Sequence, residues 1–326
     1  MSRPSILVAR EIFPETVARL RQHFELEINE RDDIWEGAEL IGRLQGKQGA
    51  LTTPSERIDA ALLAACPSLR IVANMAVGFN NFDLDALNAR GVVATNTPDV
   101  LTETTADFGF ALLMATARRM TEGERFLRAG QWSKWTFNLL AGADVHGTTL
   151  GILGMGRIGQ GIARRGAAGF GMKVIYHNRS RLAPELEAAC QARYVPKDEL
   201  LRHSDHLVLV LPYSAESHHS IGAAELTLMK PGATLTNIAR GGIVDDAALA
   251  AALARGQIAA AGLDVFEGEP AVHPALLTLP NVVLTPHIAS ASIPTRRAMA
   301  ELAADNLIDF FAGRGPRTPV TSAGGA

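Results

Sequence analysis

Short apolar runs alternate with amphipathic stretches along the chain, and that alternation predicts strand, helix, strand in series. Residues 5–9 (SILVA) read as a buried strand, and residues 14–24 place Val17, Leu20 and Phe24 on one helical face. Residues 48–53, a helix near 58–65, residues 69–73 and residues 92–96 continue the pattern, so the first hundred residues predict a small doubly wound domain. Thr102 is expected to start a long helix carrying Phe108, Leu112 and Met114, with its own hydroxyl as the cap. Residues 150–153 and 172–176 predict two strands around a helix, and residues 206–212, 233–238, 259–264 and 281–285 predict four more with short helices between. A last amphipathic helix over 295–313, with Met299, Leu302, Leu307 and Phe310, returns to the first domain. The Gly/Pro/Ser-rich tail from Arg314 to Ala326 is expected to fray. The fold class is α/β, two doubly wound parallel-sheet domains, one from residues 1–100 with 291–326 and a larger one from 101–290.

Between the predicted strands at 150–153 and 172–176 lies Gly154-Met155-Gly156-Arg157-Ile158-Gly159. Gly154 permits a tight turn, Gly156 leaves no Cβ between backbone and a pyrophosphate, and Gly159 lets the following helix lie close on the strand. Glycines also cluster in ordinary turns, but the strand before and the helix after make a dinucleotide-binding unit the stronger reading, with the helix N-terminus facing the phosphates. The larger domain is therefore expected to be a Rossmann domain.

The end of the second strand speaks to which dinucleotide. An acid there would hold a ribose 2′-hydroxyl, whereas the chain has His177-Asn178-Arg179-Ser180-Arg181. Asn178, Arg179 and Arg181 could bind a 2′-phosphate through charge-assisted hydrogen bonds, which favours NADP(H) over NAD(H). The alternative is a solvated basic turn.

Composition removes other classes. Across 326 residues, 47% hydrophobic and 20% charged content is ordinary for a soluble globular chain. A net charge of −3 points to neither nucleic acid nor an anionic membrane. No apolar run reaches the ~18 residues of a membrane helix, and the apolar core of MSRPSILVAR is too short for a signal peptide, so a cytoplasmic protein is expected. Cys66 and Cys190 are the only cysteines, and both are expected to be free. His218-His219 and the pair His203 and His206 lack a cysteine or carboxylate pattern to complete a metal site, and solvated surface is favoured. Asp83 and Asp85 read as a helix N-terminal turn. The aromatic stretch with Phe126, Trp132, Trp135 and Phe137 reads as packing, at a subunit interface or under a loop.

In an open parallel sheet, ligands sit beyond the carboxyl ends of the strands. Arg240, Glu269 and His287 each follow such an end. An arginine can clamp the carboxylate of a 2-oxo acid and polarise its ketone, and a histidine can give that oxygen a proton. A glutamate on the other ring nitrogen can orient the imidazole and raise its pKa. From spacing alone, Arg240-Gly241-Gly242 could equally be a turn and Glu269-Pro270 a surface loop.

The stretches 237–245 (NIARGGIVD), 262–270 (GLDVFEGEP) and 286–290 (PHIAS) resemble the signatures of the D-isomer-specific 2-hydroxyacid dehydrogenases, in that family's order and spacing. The resemblance implies that Arg240, Glu269 and His287 are the catalytic set, and that the amides of Val77 and Gly78 bind the substrate carboxylate. It also implies cofactor contacts at Arg157, Ile158, Pro212, Ser217, Ile238 and Asp264, with Asp264 at the nicotinamide end. Residues 1–100 with 291–326 would be the substrate-binding domain and the protein a homodimer. Within the family, the chain is most similar to glyoxylate/hydroxypyruvate and 2-ketogluconate reductases, because WSKW (residues 132–135) precedes the cofactor motif and the second strand ends without an acid. Formate dehydrogenases carry Gln where Glu269 stands. A different class of relative, a nucleotide-sensing corepressor without catalysis, is disfavoured by the complete Arg/Glu/His set.

Overall fold

In the computed structural model, residues 3–320 are described. Two compact units emerge, one from the chain up to Leu101 with the segment from Ala291 onwards, the other from Thr102–Ser290.

The first unit holds strands β1 (Ser5–Val8), β2 (Glu25–Ile28), β3 (Gly49–Thr52), β4 (Ile71–Asn74) and β5 (Val93–Thr95), all parallel in the order β2-β1-β3-β4-β5. Helices cover both faces, because central strands such as β3 and β4 bury every residue and must be shielded from water on each side. On one face Leu20, Ala303, Ala304 and Leu307 pack against Ile6, Val8, Leu51 and Ile71, and on the other Leu40, Leu44, Leu62 and Leu63 meet Leu7 and Val72. The closing helix of this unit is Ile293–Phe311, capped by Ser292, whose hydroxyl accepts the Thr295 amide.

The second unit contains β6 (Thr149–Leu153), β7 (Lys173–His177), β8 (Ala192–Tyr194), β9 (His206–Leu209), β10 (Thr234–Asn237), β11 (Ala260–Leu263) and β12 (Val282–Leu284). They form a parallel sheet in the order β12-β11-β10-β9-β6-β7-β8. The order reverses between β6 and β9, and sheets of this kind bind ligands beyond the carboxyl ends of the strands at such a reversal. The long helix Thr102–Ala117 lies against β11 through Leu112 and Thr116, which face Gly262, and Gly109 meets Ile238 just beyond β10.

Several expectations need correction. Strands β2 and β8 carry Glu25, Glu27 and Arg193 and lie at sheet edges, where partial exposure weakens the apolar signal that identifies a strand. The long helix does begin at Thr102, as expected. The segment 314–320 is not frayed: Arg317 and Thr318 donate their amides to Asn306 Oδ1 at 2.8 and 2.9 Å, and the Val320 amide bonds Ala94 at 2.8 Å. The rest of the tail lies outside the described residues. His206 is buried, its Nδ1 2.8 Å from Thr234 Oγ1 and its Nε2 3.0 Å from the Asp144 carbonyl. Trp132, Trp135 and Phe137 lie under no loop, being 54%, 74% and 90% exposed. Asp83 does cap a helix, Leu84–Ala89, by accepting the Ala86 amide at 3.0 Å.

Candidate active site

At the end of β10, Asn237 folds its Oδ1 back onto the Ala239 amide at 3.0 Å, and the turn so formed projects Arg240. One guanidinium nitrogen of Arg240 donates to the Ala239 carbonyl at 2.6 Å. Burial lowers the Arg240 pKa, partly offset by the negative charge of Glu269. A guanidinium remains charged in a protein.

Asp264, after β11, is fully buried, and both its oxygens are occupied. Oδ1 accepts from the Thr285 hydroxyl at 2.7 Å and the Ile288 amide at 2.9 Å, while Oδ2 accepts the Ala289 amide at 2.9 Å. The His287 amide bonds the Asp264 carbonyl at 2.9 Å. This clasp holds His287, just beyond β12, in a left-handed backbone conformation with φ +52°. Glu269 Oε1 accepts the Phe266 amide at 2.8 Å, and Oε2 lies 2.8 Å from His287 Nδ1. Burial raises the Glu269 carboxyl, but the His287 hydrogen bond and charge, the Phe266 amide and the Arg240 charge outweigh it and hold it below the usual range. Because an ionised carboxylate only accepts, Nδ1 of His287 is the nitrogen carrying hydrogen. Among the described residues Nε2 has no partner, and the side chain is 38% exposed.

The glycine loop has the form a dinucleotide requires. Gly154 sits at φ +101°, and a Cβ there would lie 2.7 Å from the Leu211 amide nitrogen. At Gly159 a Cβ would lie 2.4 Å from the Gly154 carbonyl, so the helix Arg157–Arg164 could not approach β6 as it does. Around Gly156, by contrast, a Cβ would meet nothing within 4 Å. Open space at the helix N-terminus, with glycines wherever backbone crowds, fits a pyrophosphate.

The other expected cofactor residues divide. Arg157 and Ile158 open that helix, and Pro212 stands exposed beyond β9. Ser217 ties off its loop, its Oγ donating to the Pro212 carbonyl at 3.0 Å. Ile238 is buried in the core against Gly109. Asn178 Oδ1 accepts the Met155 amide at 2.5 Å, joining the end of β7 to the glycine loop. Arg179 is exposed, and its charge helps lower the Glu216 carboxyl, after the Ser214 hydrogen bond and a backbone amide. Arg181 is held by Glu187. His218, His219 and Glu267 bring ligand atoms within 4.8 Å of one another, a carboxylate that sequence spacing does not reveal. The two imidazoles stack at 3.9 Å and 20°, with His219 Nε2 2.9 Å from Glu267 Oε2 and His218 Nδ1 3.2 Å from the Tyr213 hydroxyl.

In the first unit, Val77 and Gly78 follow β4. Their carbonyls are tied down, Val77 by Asn96 Nδ2 at 2.8 Å and Gly78 by Asn74 Nδ2 at 2.9 Å. Among the described residues neither amide donates a hydrogen bond. Asn74 and Asn96 were not singled out by the sequence, because nothing in their spacing shows which carbonyl they reach.

Comparison with known proteins settles the family. Residues 110–289 match the model of the D-isomer specific 2-hydroxyacid dehydrogenase NAD binding domain. The chain belongs to the D-isomer specific 2-hydroxyacid dehydrogenases. It is thus an NAD(P)-dependent oxidoreductase of the family that interconverts 2-oxo and 2-hydroxy acids. Among its relatives is the glyoxylate reductase of Thermococcus onnurineus, 49% identical over 98% of this chain and 96% of that one. An NADPH-dependent glyoxylate/hydroxypyruvate reductase from Sinorhizobium meliloti, solved with NADP and malonate, superposes with a TM-score of 0.86 at 40% identity, covering 98% of this chain and 97% of its own. A Thermus thermophilus protein gives a TM-score of 0.89 at 42% identity, covering 97% of this chain and 100% of its own. Among the described residues no helix is long and apolar enough to cross a membrane.

Proposed function

We propose that this dehydrogenase reduces small 2-oxo acids (glyoxylate, hydroxypyruvate and 2-ketogluconate) to D-2-hydroxy acids with NADPH in the cytoplasm, His287 being the proton donor. One observation carries the reading: the imidazole is fixed through Nδ1 by an ionised Glu269, which leaves Nε2 to serve a substrate. The nicotinamide cofactor, when bound, supplies the hydride that the carbonyl carbon accepts. Arg240 pairs its planar fork with the substrate carboxylate and draws electron density towards the ketone oxygen. Nε2 of His287 gives that oxygen its proton, and Glu269 stays ionised throughout, stabilising the positive ring and keeping its plane fixed. Within the first unit, the amides of Val77 and Gly78 can bind a carboxylate, a role supported by their lack of partners among the described residues. Asn178, Arg179 and Arg181 select the 2′-phosphate; the sequence offers no acid there, and the Sinorhizobium relative is NADPH-dependent. The exposed Trp132, Trp135 and Phe137 form a subunit contact of a homodimer, which light scattering of the purified protein tests.

The decisive experiment follows NADPH absorbance with glyoxylate, hydroxypyruvate and 2-ketogluconate, and repeats each with NADH. Turnover of at least one acid, faster with NADPH, is expected. Tight cofactor binding without turnover of any 2-oxo acid would replace this reading with a nucleotide-sensing one.

A further inference from the structure

Arg181 does not stand free beside the cofactor loop. Its Nε and one terminal nitrogen grip the two oxygens of Glu187 at 2.9 and 2.8 Å, a two-pronged pairing. Glu187 belongs to the helix Pro184–Cys190 and is nearly buried, its side chain 11% exposed against 65% for Arg181. The carboxylate is itself pinned from beneath: the hydroxyl of the fully buried Tyr176 donates to Oε1 at 2.6 Å and accepts the Leu182 amide at 2.9 Å. Tyr176 lies on β7, the strand whose end carries Asn178 and Arg179.

We propose that Glu187 is a positioning residue for cofactor selectivity, holding Arg181 by its inner edge so that the outer edge of the guanidinium is presented to a ribose 2′-phosphate. The inference rests on the NADPH reading above and explains how a flexible, exposed side chain becomes a selective one. A free arginine loses rotamer freedom when it captures a phosphate, whereas one already forked onto a fixed carboxylate has lost it on folding. The second terminal nitrogen takes no part in the pairing and remains a donor. The negative charge of Glu187 sits behind the guanidinium, and water screens its repulsion of a phosphate at the exposed outer edge. The two arginines then divide the work, Arg179 supplying charge and Arg181 supplying direction.

The test measures binding by calorimetry, independently of turnover, using adenosine 2′,5′-bisphosphate and 5′-AMP, which differ at the 2′ position. Glu187→Gln keeps the shape and an acceptor for Tyr176 but loses the charge. It should weaken the bisphosphate about 3- to 10-fold and leave 5′-AMP unchanged. Arg181→Lys, at an exposed site that tolerates replacement, keeps charge without a fork and should lose a similar factor. Adding Glu187→Gln to Arg181→Ala should cost nothing further, since the carboxylate acts only through the arginine. Tighter bisphosphate binding by Glu187→Gln would show that the carboxylate masks Arg181 instead. Equal losses for both ligands, an unaffected Glu187→Gln or Arg181→Lys, or additive losses in the double variant would also overturn the proposal. If the wild type fails to distinguish the two ligands, the NADPH reading itself falls. If it distinguishes them while Glu187→Gln changes nothing, only the positioning role falls.

Discussion

Glu269 Oε2 and His287 Nδ1 lie 2.8 Å apart although the residues are 18 positions apart on different loops. The pair is over-determined: Phe266 fixes the carboxylate from one side and the Asp264 clasp fixes the histidine backbone from the other. His287→Ala should lower kcat for reduction by about 10² or more, the usual contribution of a placed general acid. Near-normal kcat in a folded variant would remove the proton-donor role. Glu269→Gln should lower kcat less and also alter its pH profile. The Glu269 pKa is depressed, so whatever depends on its charge is present above the ordinary value of 4.5 and is lost only as pH falls through the lower folded value. The wild-type acid limb from this group therefore belongs below pH 4.5, and it should be absent in the glutamine variant.

Arg240→Lys keeps a charge and loses planar bidentate geometry. KM for the 2-oxo acid should rise strongly and kcat should fall, with cofactor binding unchanged. Steady-state kinetics indistinguishable from wild type would show that Arg240 only completes a turn.

Asp264→Asn would point an amide nitrogen at one of the three donors that the carboxylate accepts. Leaving a buried backbone amide unpaired costs about 1–3 kcal/mol. The variant should melt earlier and lose kcat more than KM, because the clasp places the His287 backbone without touching Arg240. A normal kcat with a lowered melting temperature would make the clasp purely structural.

Much of this arrangement was legible in the chain. Gly154 and Gly159 are written there because a tight turn and a close helix approach leave no room for a Cβ, whereas Gly156 opens onto free space. Arg240, Glu269 and His287 stand out because charged groups at the carboxyl ends of buried strands have few structural reasons to be there. What the sequence hides is partnership. The resemblance gives Asp264 a cofactor contact, whereas its oxygens are spent on residues 21 to 25 positions away. Arg181 and Glu187 read as separate surface charges until helix and loop bring them together. His206 reads as surface by type, but it is buried because Thr234 and the Asp144 carbonyl, 28 and 62 positions away, satisfy its ring.

Glu56, in the first unit, gives a pH-dependent stability. It is 1% exposed; Oε2 accepts from the Thr53 amide and hydroxyl at 2.7 and 2.9 Å, and among the described residues Oε1 has no partner. Burial raises its pKa above 4.5, the Thr53 bonds and the Arg10 charge opposing without prevailing. A raised carboxyl binds its proton more tightly when folded, so its contribution is fully present below the unfolded value and is lost as pH rises towards the folded one. Melting temperature measured across that window should move in favour of Glu56→Gln as pH rises. A constant difference between variant and wild type would show that Glu56 does not titrate there.

The sharpest cofactor test uses Asn178. Its Oδ1 accepts the Met155 amide, so Asn178→Asp preserves the bond that joins β7 to the glycine loop and exchanges only Nδ2 for a second oxygen. A donor towards the ribose becomes a negative charge, which repels a 2′-phosphate and accepts from a 2′-hydroxyl. Losing one charge-assisted contact of about 1.5–3 kcal/mol and adding repulsion should lower kcat/KM for NADPH by roughly 10²-fold, while NADH improves. Arg179→Ala should weaken NADPH alone. The wild-type preference should shrink with added salt, because Arg179 is exposed and its attraction for a dianion is screened. Equal losses with both cofactors in the two variants, or a wild type that prefers NADH, would leave residues 178–181 as a solvated basic turn.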